Sequence, residues 1–115
     1  MKPSEILDKA ADIIAERGLW QGSYKEPLGN PANCRVCVLG AINIATGSNP
    51  DTEAGFKVPG STSAAANALA DHLGLNPGDD LIDVLGNQWN DSRGSAKDVE
   101  RALRTAAASE REAGR

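Results

Sequence analysis

The fold is decided by residues 33–47, which read Asn33-Cys34-Arg35-Val36-Cys37-Val38-Leu39-Gly40-Ala41-Ile42-Asn43-Ile44-Ala45-Thr46-Gly47. This stretch holds both cysteines of the chain and its most apolar run. The apolar residues cover more than one helical face, which is typical of a helix surrounded by other helices. The sequence therefore predicts a central buried helix at about 34–46, capped by Asn33 and ended by Gly47. Because Gly40 lowers helix propensity in its middle, we expect another backbone to approach closely there.

Apolar residues repeat at helical spacing on both sides of this stretch. The repeats predict further helices at about 4–17, 62–73 and 96–108, and a short helix at about 81–86. Ser4 is the expected N-cap of the first of these helices. Two segments dense in turn-forming residues, 21–32 and 48–60, are the expected long loops, and we expect the second to be mobile.

The composition agrees with helices and with a single domain. The chain has 115 residues, enough for one modest core, and its apolar residues are mostly aliphatic because aromatics make up only 3%. No alternation of apolar and polar residues extends far enough to indicate strands. The sequence therefore predicts an all-α fold. We expect a compact bundle of four to five helices over residues 1–108 and a frayed tail at 109–115.

Charge and hydropathy indicate which classes of partner and which cellular compartment to expect for this protein. The net charge is −4, and basic residues do not cluster with aromatic ones, so we expect no nucleic-acid binding. No apolar run approaches the roughly 18 residues of a membrane span, and the start of the chain does not resemble a signal peptide. We therefore expect a cytoplasmic protein with reduced thiols and no membrane partner.

The two cysteines could serve three kinds of chemistry: redox reactions, zinc binding and nucleophilic catalysis. Cys34 and Cys37 form a C-x-x-C, but the strand that precedes such a motif in redox proteins is not predicted. A zinc site would need four ligands. The sequence could supply them only as Cys34, Cys37, His72 and one carboxylate. A cysteine nucleophile could use Cys37, His72 and either Asn90 or Asp91. The simpler interpretation is that Cys37 is a small core residue, so we predict no catalytic residue, metal or cofactor.

Carboxylates are densest at Asp79, Asp80 and Asp83. They could form a weak cation site. Acidic residues are also favoured at the start of a helix, because they interact with its dipole. We therefore interpret this group as capping the short helix that follows.

Trp89-Asn90-Asp91 is the most informative polar group. In a structural role, Trp89 would fill the core while Asn90 and Asp91 fix the turn into the last helix. In a binding role, the same residues would form the polar wall of a pocket. The candidate ligand-binding residues are then Cys37, Trp20, Trp89, Asn90 and Asp91.

These residues also carry a family resemblance. The order Trp20-Gln21-Gly22, Cys37-Val38-Leu39-Gly40-Ala41 and Trp89-Asn90-Asp91 resembles a family of small uncharacterised proteins from actinobacteria and their phages, a domain of unknown function. The resemblance covers about residues 4–107 and includes Cys37, whereas Cys34 and His72 have no counterpart in the pattern. It implies an intracellular setting and a phage origin, and it supplies no activity.

The sequence leaves three kinds of function open. The sequence favours a small non-enzymatic interaction protein, such as a phage accessory factor or a self-associating domain. The alternative is a domain that binds a small ligand or metal near Cys37 and Trp89-Asn90-Asp91. An enzyme that depends on Cys37 is the third, and we expect it least because no complete catalytic set is present.

Overall fold

The structure, a computed structural model, describes residues 1–76, 78 and 80–115. Its α-helices in this part of the chain are α1 (Pro3–Arg17), α2 (Val38–Ala45), α3 (Ala54–Lys57), α4 (Ser61–His72) and α5 (Ala96–Glu112). A π-helix at Ile82–Trp89 and a 3₁₀ turn at Asn90–Ser92 lie between α4 and α5. The same residues contain no strand longer than an isolated bridge, so the predicted all-α fold is confirmed.

The two longest helices, α1 and α5, pack along each other and form the base of the bundle. Their buried sides are aliphatic: Ile6, Leu7, Ala10, Ala11 and Ile14 from α1, and Val99, Leu103, Ala106 and Ala107 from α5. At the edge of this contact, the Arg104 guanidinium lies 2.6 Å from the carboxylate of Asp12. The helical spacing of apolar residues identifies this pair of buried faces correctly.

Helix α2 is the central helix that the sequence predicts. It packs against α1, α4 and the π-helix, and every residue from 38 to 45 except Ile44 is buried. Its start was predicted wrongly, because residues 34–37 are not helical and Cys37, not Asn33, is the N-cap.

Extended backbone before α2 explains the late start. The carbonyl of Val36 accepts a hydrogen bond from the Trp20 amide at 2.9 Å, and the Cys37 amide donates to the Tyr24 carbonyl at 3.0 Å. Val36 forms one isolated bridge with Leu19 and another with Lys25. These backbone hydrogen bonds hold residues 35–37 extended, and they compete with a first helical turn at this point.

Gly40 meets another backbone, as expected, although the neighbour is a loop and not a helix. A Cβ atom placed on Gly40 would lie 2.4 Å from the carbonyl oxygen of Tyr24. That is far inside van der Waals contact. Only glycine therefore lets the loop that contains Tyr24 lie directly on the first turn of α2.

The long loop at 48–60 contains α3 and is tied to α2. The Asn43 side-chain amide is fully buried, and its Nδ2 donates to the carbonyls of Pro50 and Thr52, at 2.8 Å each. The first half of the loop is therefore hydrogen-bonded to α2 at the centre of the bundle, and its mobility stays a prediction.

Other helix ends differ from the sequence prediction. Lys2, not Ser4, is the N-cap of α1, and Ser4 is buried in its first turn. The short helix expected at 81–86 is the longer π-helix. Helix α5 continues to Glu112, into the segment expected to be a frayed tail, and Arg115 lies 2.6 Å from the Glu110 carboxylate.

The acidic group before the π-helix is described only in part. Pro77 and Asp79, which belong to the turn predicted at 76–80, lie outside the described residues. The Asp80 carboxylate accepts a hydrogen bond from the Asp83 amide at 2.9 Å, which is the capping role expected of this group.

None of the helices in the described residues combines the length and apolar character required to cross a membrane.

We predict that Gly40→Ala destabilises the protein, although alanine usually stabilises a helix by about 1 kcal/mol relative to glycine. The added methyl group would overlap the Tyr24 carbonyl, so the free energy of unfolding should fall by about 1–3 kcal/mol. Chemical denaturation would measure the change. Gly60→Ala is the matched control, since a Cβ there meets no atom within 4 Å. Equal stability of the two variants would contradict the close approach.

Candidate functional site

A pocket of about 260 Å³ lies beside the first turn of α2. Four segments line it: the loop before α2, the start of α2, the loop that leads to α3, and the π-helix with its 3₁₀ turn. Its polar lining residues are Ser23, Tyr24, Cys37, Glu53, Asn87 and Asp91, and Leu39 and Ile82 supply apolar surface. The pocket therefore combines a polar side with an apolar side, as small-molecule sites commonly do.

The wall behind the pocket depends on the side chain of Asn90, which is fully buried. Its Oδ1 accepts a hydrogen bond from the Val38 amide at 2.9 Å, and its Nδ2 donates to the Trp20 carbonyl at 3.1 Å. The first amides of a helix have no hydrogen-bond partner inside the helix. Asn90 supplies a partner for one of them, the Val38 amide of α2. It thereby joins the loop, α2 and the 3₁₀ turn.

Two neighbours extend this connection on the surface. The Gln21 side chain donates to the carbonyls of Asn90 and Arg93, at 2.9 Å each. The Gly22 amide donates to Asp91 Oδ1 at 3.0 Å. Residues 20–22 and 90–93 are thus held together by hydrogen bonds, which gives the pocket a fixed edge.

The two tryptophans support the pocket without lining it. Trp89 is buried in the core, and the Arg93 guanidinium stacks 4.9 Å from the centre of its ring. Trp20 is partly buried beneath Arg35, whose guanidinium lies 5.0 Å from the ring centre. Each indole therefore makes a cation–π contact with an arginine, and neither ring lines the pocket.

Cys37 lines the pocket, but the residue is only 3% exposed. Its Sγ accepts a hydrogen bond from the Gly40 amide at 3.4 Å, so the thiol caps α2. Burial raises the pKa of Cys37 to about 11, and the nearby Asp91 carboxylate acts in the same direction, although the amides of α2 oppose both. At neutral pH the thiol is therefore protonated and a poor nucleophile.

The other sequence candidates for chemistry do not join Cys37. His72 is exposed at the last position of α4 and does not line the pocket. Cys34 is buried, and both cysteines are free thiols. Across the described residues, no group of three His, Cys, Asp or Glu side chains could hold a metal ion. The geometry therefore does not assemble the zinc set or the cysteine–histidine set in this part of the chain.

Tyr24 and Glu53 close one side of the pocket. The Tyr24 hydroxyl donates to Glu53 Oε1 at 3.0 Å, and Glu53 Oε2 lies 3.4 Å from the Lys57 ammonium. Burial, followed by the hydrogen bond and the charge of Glu53, raises the pKa of Tyr24 well above its usual range. The hydroxyl therefore stays protonated and remains a donor, linking the two loops across the pocket.

Of the five binding candidates named from the sequence, the structure places Cys37 and Asp91 in the pocket lining. Trp89 lies in the core, Asn90 lies behind the pocket, and the Trp20 indole donates to Ser23 Oγ, a lining residue, at 3.0 Å. The sequence prediction did not include Tyr24, Glu53 or Asn87. Tyr24 and Glu53 lie in loops, where no helical spacing of apolar residues marks a position. The one available signal was that Tyr24 is the only tyrosine of the chain.

We predict that native Cys37 reacts slowly with iodoacetamide at neutral pH, because its thiol is buried and protonated. The rate would be measured by intact mass on a Cys34→Ala variant, so that only one thiol reports. The labelling rate should keep increasing as the pH rises above 9.0, the ordinary pKa of a cysteine thiol, toward the Cys37 pKa of about 11. Urea-unfolded protein is the control. Native labelling as fast as the unfolded rate would instead indicate a reactive thiolate.

Comparison with known proteins gives one match. Residues 1–109 match a protein family described as a family of unknown function (DUF6197). Comparisons with curated proteins and with solved structures found no match. This result agrees with the resemblance to a domain of unknown function inferred from the sequence.

Proposed function

The chain belongs to this family of unknown function, and on that premise we propose that the domain binds a small organic molecule in the pocket beside α2. The observation that carries the proposal is the pocket itself, with Tyr24, Cys37 and Asp91 facing the same space as Leu39 and Ile82. Side chains of this kind can orient a ligand on one side and shield it from water on the other.

The supporting wall favours binding because it is preorganised. Asn90 is fully buried and makes hydrogen bonds to two other segments, so that the pocket needs little rearrangement before a ligand enters. A site that is already ordered avoids part of the entropy cost of binding.

The same geometry argues for binding rather than cysteine chemistry. A nucleophilic thiol needs a base or a depressed pKa, whereas the pKa of Cys37 is raised and His72 lies outside the pocket. We therefore propose that Cys37 serves as a neutral part of the pocket wall.

The π-helix supplies a matched pair of variants to test the proposal. Asn87 and Gln88 are adjacent and exposed, and their amides bind the two carboxylate oxygens of Asp83. Only Asn87 lines the pocket. Asn87→Trp should obstruct ligand binding, while Gln88→Trp should leave it intact, because the second indole is added outside the pocket.

The measurement is a fragment screen followed by protein-observed NMR. We expect fragments that shift the amide signals of residues 22–24 and 37–39 in the wild-type protein and in Gln88→Trp, with these shifts lost in Asn87→Trp. A screen in which no fragment shifts these signals would contradict the proposed function. Equal binding by both variants would place the ligand elsewhere.

A protein partner is our second proposal, and it keeps the interaction role expected from the sequence. A groove of about 560 Å³ between α3 and α4 is lined by Phe56, Val58 and Leu81, and Val58 is 55% exposed. Phe56 and Leu81 are buried at the floor of the groove, and Val58 is the exposed apolar side chain that a partner would contact. The cytoplasm of an actinobacterial cell, with a phage as the source, is the setting we propose from the motif resemblance.

Self-association is the form of this second proposal that can be tested without knowing the partner. If the groove binds a second copy, the mass from light scattering should increase with protein concentration, and Val58→Asp should abolish the increase. Leu28→Asp is the control, because Leu28 is fully exposed and lies outside the groove. A monomeric mass for the wild-type protein at every concentration would contradict self-association.

A further inference from the structure

We propose that the ligand of the pocket beside α2 is a small organic cation, such as a primary amine on a short apolar body. This inference rests on the proposed function, and it adds the chemical class of the ligand. It depends on which hydrogen-bonding groups of the pocket are already used and on the charges that line it.

The start of α2 is not available to an anion. A helix N-terminus normally attracts negative groups through its free amides. Here the Val38 amide donates to Asn90 Oδ1, and the Gly40 amide donates to Cys37 Sγ. Side chains of the protein therefore occupy two of the amides that would otherwise bind a phosphate or carboxylate.

The charged groups that line the pocket are acidic. Glu53 and Asp91 both contribute carboxylates, and no lysine or arginine is among the lining residues in the described part of the chain. Glu53 has a cationic neighbour in Lys57, but both side chains are at least half exposed, so this ion pair is weakly held. Asp91 makes no ion pair with any of the described residues.

The titrations of the neighbouring groups agree with this negative surrounding. Asp91 contributes to the raised pKa of Cys37, and Glu53 and Asp80 contribute to the raised pKa of Tyr24. Desolvation is the largest cause in both cases, and the carboxylates add to it. A negative potential that disfavours a thiolate and a phenolate favours a cation in the same space.

The remaining lining defines the rest of the ligand. Leu39 and Ile82 offer an apolar surface near the carboxylates, and the pocket volume of about 260 Å³ suits a small molecule. A cationic head group would bind Asp91, which already accepts hydrogen bonds from Gly22 and Asn90 through Oδ1. Its second carboxylate oxygen is the acceptor we assign to the ligand.

Phenethylamine and 2-phenylethanol are suitable probes, because they share one apolar body and differ in charge. Titration at neutral pH would be followed by NMR, with the folded protein and low salt. We expect the amine to bind at least about tenfold more tightly than the alcohol, which corresponds to about 1.4 kcal/mol. Higher salt should weaken the binding of the amine more than that of the alcohol.

Isosteric variants assign the effect to the carboxylates. Asp91→Asn keeps the acceptor for Gly22 and removes the charge, so it should weaken amine binding by about tenfold and alcohol binding by clearly less. Glu53→Gln keeps the acceptor for Tyr24 and provides a second, independent variant with a smaller expected loss. Asp51→Asn is the control, because Asp51 is exposed and does not line the pocket.

The outcomes separate this inference from the proposed function. Equal affinity for both probes, or an unchanged amine affinity in folded Asp91→Asn and Glu53→Gln, would overturn the cation assignment while leaving the pocket as a ligand site. Failure of the amine to shift the pocket signals at millimolar concentration would also overturn it. If the broader fragment screen is negative as well, the proposed function fails too.

Discussion

The hydrogen bond from the Val38 amide to Asn90 Oδ1 is the interaction on which the rest of this structure depends. It is fully buried and joins positions 52 residues apart in the sequence. A buried backbone amide left without a partner costs roughly 1–3 kcal/mol, so α2 needs an acceptor at this point. Asn90 supplies it, and with its other end it holds the loop before α2 through the Trp20 carbonyl. One side chain therefore connects the central helix, the loop before it and the 3₁₀ turn behind the pocket.

The helical faces could be predicted from the sequence because they depend on local spacing. In α1 and α5 the apolar residues repeat every three or four positions, and these residues supply most of the buried face of each helix, with Ser4 and Glu110 as buried polar additions. The beginning of α2 could not be predicted in this way. Residues 34–37 were predicted as part of an apolar helix, but backbone pairing with residues 18–26 holds residues 35–37 extended, and such distant pairing has no local sequence signal.

The site was predictable only in part, for related reasons. Cys37 and Asp91 were identifiable as polar residues beside strongly apolar ones, and the structure brings both to the pocket. Tyr24 and Glu53 come from two separate loops, and only the folded chain shows that they meet at 3.0 Å. Trp89 illustrates the opposite case, because a large aromatic residue beside a polar motif can suggest a binding surface when it is in fact buried in the core.

The π-helix at Ile82–Trp89 has a consequence for the angular position of the site residues. The Asn90 amide bonds to the carbonyl of Leu85, five residues earlier, as well as to that of Gly86. An α-helix turns by about 100° at each residue, whereas the wider π-helix turns by less. Wound as an α-helix, the same eight residues would carry Asn90 around the axis and away from Val38. The rarer winding thus acts as an angular adjustment, which sets the direction in which the 3₁₀ turn leaves the helix and meets α2.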